Sequence, residues 1–343
     1  MVTWVRRNAA AFSLFLLAPA VGELLSGSAP PAELLDLSLF LLLVGLYGSG
    51  ALLVRELARG WGKGYPTVLC LGAAYGIFVE AIVCKSWFDP HWPDLGELAT
   101  YGWVWRTNCV WAVWITVYHT VISIAVPILL VEVLFPHRRT ETWLSRPTRL
   151  GLVTVLFLEA LVGYLGAPRF RPPWPQYPLA WAAMLALIAL APHLPNRLGA
   201  LPQAGPRWRP AWLWAVGLAW VPVSFLAFTG LPKALPPVVP VILGLGVAAG
   251  ASWLVLRLSG NLAQWDDRGR FALGAGVLSF FIALTPLQEM GIVVPPGSAV
   301  GMSLVGLGFL LLLLWQGRRV WRRRTAVAGM PSRLEVTAES GSS

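Results

Sequence analysis

Charge is scarce in this sequence. Asp, Glu, Lys and Arg together make up 12% of 343 residues, about half the share of a soluble domain. Cysteine is nearly absent, with Cys70, Cys84 and Cys109 only and no CxxC pair, which argues against a structural zinc cluster. No Gly-Lys-Ser or Gly-Lys-Thr follows any glycine-rich stretch, so ATP hydrolysis by a Walker loop is excluded. His119, Glu80, His91 and Asp89 lack local ligand spacing, so no metal is expected. No cofactor motif is found either.

What is present is hydrocarbon. Residues are 57% hydrophobic and the mean hydropathy is +0.66. Apolar runs long enough to cross a bilayer recur along the whole chain, which predicts an all-α, polytopic transmembrane helix bundle. About ten spans are expected, near 9–26, 37–54, 66–84, 108–135, 150–166, 179–194, 211–230, 236–256, 271–290 and 298–316. They form a single transmembrane domain over 1–324, with an aromatic outer loop at 85–107 and a disordered cytoplasmic tail at 325–343.

Orientation follows from the cations. With both termini inside, inner segments hold 21 of the 26 Lys and Arg residues, leaving Lys85, Arg106, Arg169, Arg171 and Lys233 outside. This bias predicts a multi-pass cell-membrane protein with cytoplasmic termini. It also accounts for the net charge of +10 without a nucleic-acid partner. Arg6-Arg7 and Ala18-Pro19-Ala20 imitate a signal peptide, but the first span is read as a retained helix.

Intramembrane ionisable groups are costly and usually face a bundle interior or water. Here they concentrate in the first half, as Glu23, Glu80, His119, Glu132 and Glu159. Glu80 lies about 6 Å below the outer end of span 3, and His119 about 17 Å below Asn108. Glu23 and Glu159 also fall in outer halves, which predicts an outward-facing polar site. Lys85, Trp87 and Asp89 border it from the outer loop. Glu132, near His137, Arg138 and Arg139, reads as a surface charge pair.

Cys84 and Cys109 flank the outer loop, so a disulfide between them would staple it, and two small buried thiols are the simpler alternative. Within the loop, Asp94 and Glu97 have capping spacing for a short surface helix. Four of the 19 tryptophans lie in the loop, which fits an interfacial anchor or a lid over the site. Gly45, Gly48 and Gly50 in span 2, and Gly72 and Gly76 in span 3, predict close packing of those two spans.

Two resemblances follow from these residues. Glu80 to Lys85, with His119 in ITVYH, partly resembles the CAAX prenyl protease and bacteriocin-processing family of intramembrane proteases. Ala81 replaces that family's second Glu, Lys85 its Arg and Ile115 its Phe, and no span carries the third motif. The resemblance implies water activation by Glu80 with His119 assisting. LYGSGALLVREL, AYGIFVEAIVCKSWFDPHW and TVYHTVISIAVPILLVEVLFP are similar to a group of uncharacterised prokaryotic integral membrane proteins, over about the first 136 residues. That resemblance implies membrane location alone.

Three function classes fit. A transporter or permease for a small or amphiphilic solute leads, with a lipid-like substrate or a separate ATPase subunit as candidate partners beyond the bilayer. An intramembrane hydrolase using Glu80 and His119 is the second. A noncatalytic membrane scaffold or immunity component is the third.

Overall fold

A computed structural model describes residues 2–166, 170–196, 209–231, 233–260 and 265–328, with side chains from 8 to 323. Residues 329–343 of the expected tail lie outside the described residues, as do the side chains of Arg6, Arg7, Arg169, Arg197, Arg207, Arg324 and Arg333. Thr325–Ala328 of that tail continue the last helix.

Among the described residues, nine helices are long and apolar enough to cross a membrane. They are α1 (Asn8–Leu25), α2 (Leu37–Gly60), α3 (Tyr65–Val83), α4 (Cys109–Leu134), α5 (Arg146–Leu165), α7 (Pro210–Thr229), α8 (Val238–Leu258), α9 (Asp267–Glu289) and α10 (Met302–Arg323). The expected sixth span is the shorter α6 (Gln176–Leu190). Fifteen residues reach only about 22 Å of the roughly 30 Å hydrocarbon core, and Pro192 turns its end into a 3₁₀ segment, Ala191–His193. Even so, α6 connects the two ends of the bundle. Gln176 donates to the Trp105 carbonyl in the aromatic loop, and Lys63 donates to Leu194 O at the opposite end.

That opposite end is basic. Arg55, Arg59, Arg138, Arg139, Arg270 and Arg323 gather there, joined by contacts between the loops after α2, α4, α6 and the start of α9. Asn8 of α1 lines a cavity there with Trp143 and Leu144. At the same end Arg323 of α10 donates to Val133 O and Leu134 O at 2.9 and 3.0 Å. The first helix therefore begins, and the last ends, on one side.

Burial separates the helices into a centre and a rim. About 83% of the apolar windows of α3 and α4 is buried, against 11% for α5 and α8, so α3 and α4 form the centre of the bundle. One core cluster joins α4 to α1, α2, α3 and α6, and a second joins it to α7, α9 and α10.

The glycines decide how closely the helices approach, and the expectation for them needs correction. Of the three in α2 only Gly50 faces α3, where a Cβ would sit 2.0 Å from the Tyr75 ring; Gly48 faces Phe15 of α1 and Gly45 faces α5. Gly72 and Gly76 instead face α4, where added Cβ atoms would lie 3.2 and 3.1 Å from the Cα atoms of Thr120 and Thr116. Glycine four apart thus lets the α3 and α4 backbones touch.

Four of the first helices share a further feature. Each contains a wide π turn: Ala20–Leu25 in α1, Val44–Gly48 in α2, Phe78–Val83 in α3 and His119–Ala125 in α4. Such turns are rare and concentrate at functional sites.

Candidate functional site: a buried carboxylate–histidine relay

The four π turns carry Glu23, Tyr47, Glu80, and His119 with Ser123. Side chains on a helix lean toward its N-terminus. Because α3 and α4 run antiparallel, Glu80 and His119 lean toward each other. Glu80 Oε1 lies 2.7 Å from His119 Nε2, with the two residues 6% and 2% exposed. Both side chains are largely buried inside the bundle.

Hydroxyls extend the pair at both ends. His119 Nδ1 meets Ser123 Oγ at 3.0 Å, and the Ser86 hydroxyl donates to Glu80 Oε2. Trp111 Nε1 donates to Ser86 Oγ at 3.0 Å. Ser86 is positioned by the end of α3, where Lys85 takes a left-handed φ of 61° and Ser86 N–H reaches back to Glu80 O at 2.8 Å. A left-handed residue at this point is the usual way to end a helix; the bond spans one residue more because the last turn is π.

The remaining π turns complete the enclosure. Glu23 lies close enough to Tyr47, His119 and Glu80 to interact with them electrostatically. The rings of Tyr47 and Tyr118 sit 5.7 Å from the His119 ring, and that of Tyr75 at 6.4 Å. Tyr118 donates to Gly22 O at 3.2 Å. A Cβ on Gly22 would stand 3.0 Å from Ser123 Oγ and 3.1 Å from Tyr47, so glycine is what allows α1 to close over the site.

Hydrogen-bond inventory restricts the protonation states. An ionised carboxylate only accepts, and imidazole carries a donor and an acceptor when neutral. The pair has two net-neutral forms, imidazolium with carboxylate and neutral imidazole with carboxylic acid. In the first, and in the second when the acid proton lies on Oε1, Nδ1 holds a proton and Ser123 Oγ accepts it. Loss of one proton leaves Nε2–H donating to the carboxylate, and Ser123 must then turn to donate to Nδ1. A hydroxyl can make that reversal; a methyl group cannot.

The other expected site residues divide. Glu159 is half-buried on α5, with Oε1 3.1 Å from the Cβ position of Gly45, so it packs behind the π turn of α2 rather than on the relay. Lys85 is fully buried and donates to Phe170 O at 3.1 Å. Burial, with Arg171 nearby, pushes its ammonium pKa below the ordinary value. Asp89 accepts from His91 N–H, and the buried Trp87 Nε1 has no hydrogen-bond partner among the described residues. These three build the loop and do not reach the carboxylate–histidine pair.

Cys84 and Cys109 are free thiols, the simpler of the two alternatives, and two other expectations need correction. The loop is tied instead by Asn108, whose N–H donates to Trp87 O and whose side chain spans Leu98 O, Tyr101 O and Trp111 N. The loop segment Pro93–Thr100 is 3₁₀, capped at Trp92 and kinked at Gly96. Pro93 takes the first helical position there, which displaces Asp94 from the capping role. Glu132 is no surface charge but fully buried. Arg59 grips both its oxygens at 2.8 Å, Tyr65 donates at 3.0 Å and Arg55 Nε lies at 3.3 Å. Arg55 stacks 3.3 Å over Trp143 and donates to the Arg138, Arg139 and Glu141 carbonyls, while Glu56 accepts from Trp143 N and Leu144 N. This network closes the basic end.

Ser86, Trp111, Ser123, Tyr47 and Tyr118 are site residues beyond those expected. Only Ser123 carried a local signal, four residues after His119 and on the same face. Among the described residues no group of three or more His, Cys, Asp and Glu is placed to hold a metal ion.

Residues 13–192, just over half of the chain, match an uncharacterized membrane protein family. The chain belongs to that family. The matched segment runs from within α1 through α6 and includes every member of the relay. No curated protein and no solved structure matches the chain.

Proposed function

We propose that this protein is a proton-coupled carrier for a small or amphiphilic solute, with the Glu80–His119 pair as its proton-binding element. One observation carries the reading: a carboxylate and an imidazole 2.7 Å apart, enclosed in the bundle and flanked by reversible hydroxyls. A carrier must occlude its coupling group between two accesses, and the four π turns around the pair are the kind of irregular helix found at transporter midplanes. Glu23 and Tyr47 supply a second polar element on the side of the aromatic loop. The charge bias supports placing the basic end in the cytoplasm of a cell membrane.

A second reading is an intramembrane hydrolase. It is favoured by the order hydroxyl, imidazole, carboxylate along Ser123, His119 and Glu80, the arrangement that activates a nucleophile. It requires an opening to the lipid or water that the closed pair lacks.

The experiment is reconstitution into vesicles with and without an imposed proton gradient, screening solute uptake and, in parallel, cleavage of lipid and peptide substrates. Gradient-driven uptake that is lost or uncoupled in Glu80→Gln supports the carrier. Gradient-independent cleavage abolished by Ser123→Ala or His119→Ala supports the hydrolase. Absence of both, with loss of folding in the same variants, assigns the pair a purely structural role.

A further inference from the structure

A cavity of about 560 Å³ opens between α2, α3, α5 and α6, with Tyr75 and Phe78 lining it far from the basic end. Leu53, Leu57, Phe78, Trp181 and Met184 make its wall apolar, and Arg146 and Arg149 stand at its basic end. On the α5 side Leu150, Val153 and Phe157 are more than half exposed, so the groove is open sideways to hydrocarbon. From Arg149 to Ala160 it follows eleven residues of α5, about 16 Å. That is the depth of one leaflet, half of a roughly 30 Å core.

Arg146 is exposed at the mouth of the groove and Arg149 is half-buried. Arg149 Nε is buried with no hydrogen-bond partner among the described residues. Both arginines lie in the first turn of α5, where no acidic residue is present. Cations are unfavourable at that end of a helix, and an anion is favourable. Glu56 also lines the cavity, but its oxygens are occupied by Arg55, Trp143 N and Leu144 N. At the far end the buried Tyr75 hydroxyl is likewise without a partner.

We infer that this groove holds one anionic phospholipid of the leaflet at the basic end. Its phosphate sits between Arg146 and Arg149, and an acyl chain runs along α5 to Phe78 and Ala160. A guanidinium pair matches phosphate oxygens in geometry and charge. A zwitterionic lipid brings its own cation to the same place, and a soluble anion leaves the apolar length unfilled.

The test is native mass spectrometry of the purified full chain, titrated with dioleoyl phosphatidylglycerol or dioleoyl phosphatidylcholine. Tighter retention of phosphatidylglycerol is expected, weakened roughly fivefold by each of Arg146→Gln and Arg149→Gln. Arg318→Gln with Arg319→Gln, two exposed arginines of α10 outside the groove, should leave retention unchanged. Dihexanoyl phosphatidylglycerol, with the same headgroup and short chains, should bind more weakly than the dioleoyl lipid. Equal retention of the two headgroups overturns the inference. So does an equal loss in the α10 variant, or equal binding of the short-chain lipid.

Discussion

Replacing Glu80 by Gln and by Ala separates what its charge does from what its shape does. Glu80→Ala strands the His119 and Ser86 donors in a closed interior, with Ser86 still bonded to Trp111. Removing one partner of a buried ionic pair costs about 3–5 kcal/mol. Glu80→Gln keeps the contacts: its carbonyl accepts from Ser86, its amide donates to Nε2, and Nδ1–H donates to Ser123. Two neutral bonds then replace charge-assisted ones of roughly twice the strength, a loss of about 1 kcal/mol. The two variants should therefore differ by at least about 2 kcal/mol, some thirtyfold in the unfolding equilibrium. Titration with a denaturing detergent, followed by tryptophan fluorescence, measures this directly. Equal destabilisation by Gln and Ala would refute the reasoning, because it would mean that the carboxylate's charge, not the hydrogen-bond pattern, holds the site.

Other outcomes follow from the same geometry. Ser123→Ala leaves Nδ1–H without an acceptor in the net-neutral forms and should cost about 1–3 kcal/mol, whereas Ser123→Thr, which keeps the hydroxyl, should cost less in the same titration. Glu132→Ala removes the shared partner of Arg55, Arg59 and Tyr65; a loss of about 3–5 kcal/mol is expected, with faster proteolysis of the 135–145 loop that Arg55 holds. Gly76→Val pushes against Thr116 and the His119 Cβ, 3.3 Å from the first added atom, and should lower stability by about 1–3 kcal/mol while breaking the Glu80–His119 contact, visible as a changed His119 imidazole NMR shift. Burial holds the Lys85 pKa below its ordinary value of 10.5, so the unfolded chain binds more protons in the interval just below 10.5 and stability should rise with pH there. Lys85→Met should flatten that rise, as read by thermal unfolding at a series of pH values.

Much of the site was legible residue by residue. Glu80, His119 and Glu23 announce themselves because an ionisable group within an apolar run must find a partner. Their partners did not, because Ser86, Trp111, Ser123, Tyr47 and Tyr118 are ordinary residues for a membrane helix and acquire meaning only from what faces them. Glu132 misled for a related reason: its sequence neighbours are cations, but the arginines that grip it come from α2, more than seventy residues away. The Asp94 cap was inferred from spacing along the chain, and Pro93 settled that position through backbone geometry instead.

The sequence by itself determined the membrane, the all-helical class and the alternation of about ten segments between a basic and an aromatic end. Hydrophobic length and the placement of cations act segment by segment, without reference to neighbours. Only the tertiary structure decided which helices are central, that Gly72 and Gly76 open α3 to α4 rather than to α2, and that four π turns converge on one carboxylate and one imidazole. Those outcomes depend on which face of each helix meets which other. With lipid tails as apolar as the side chains, hydrophobicity does not choose the faces; close backbone approach and the need to pair buried polar groups do.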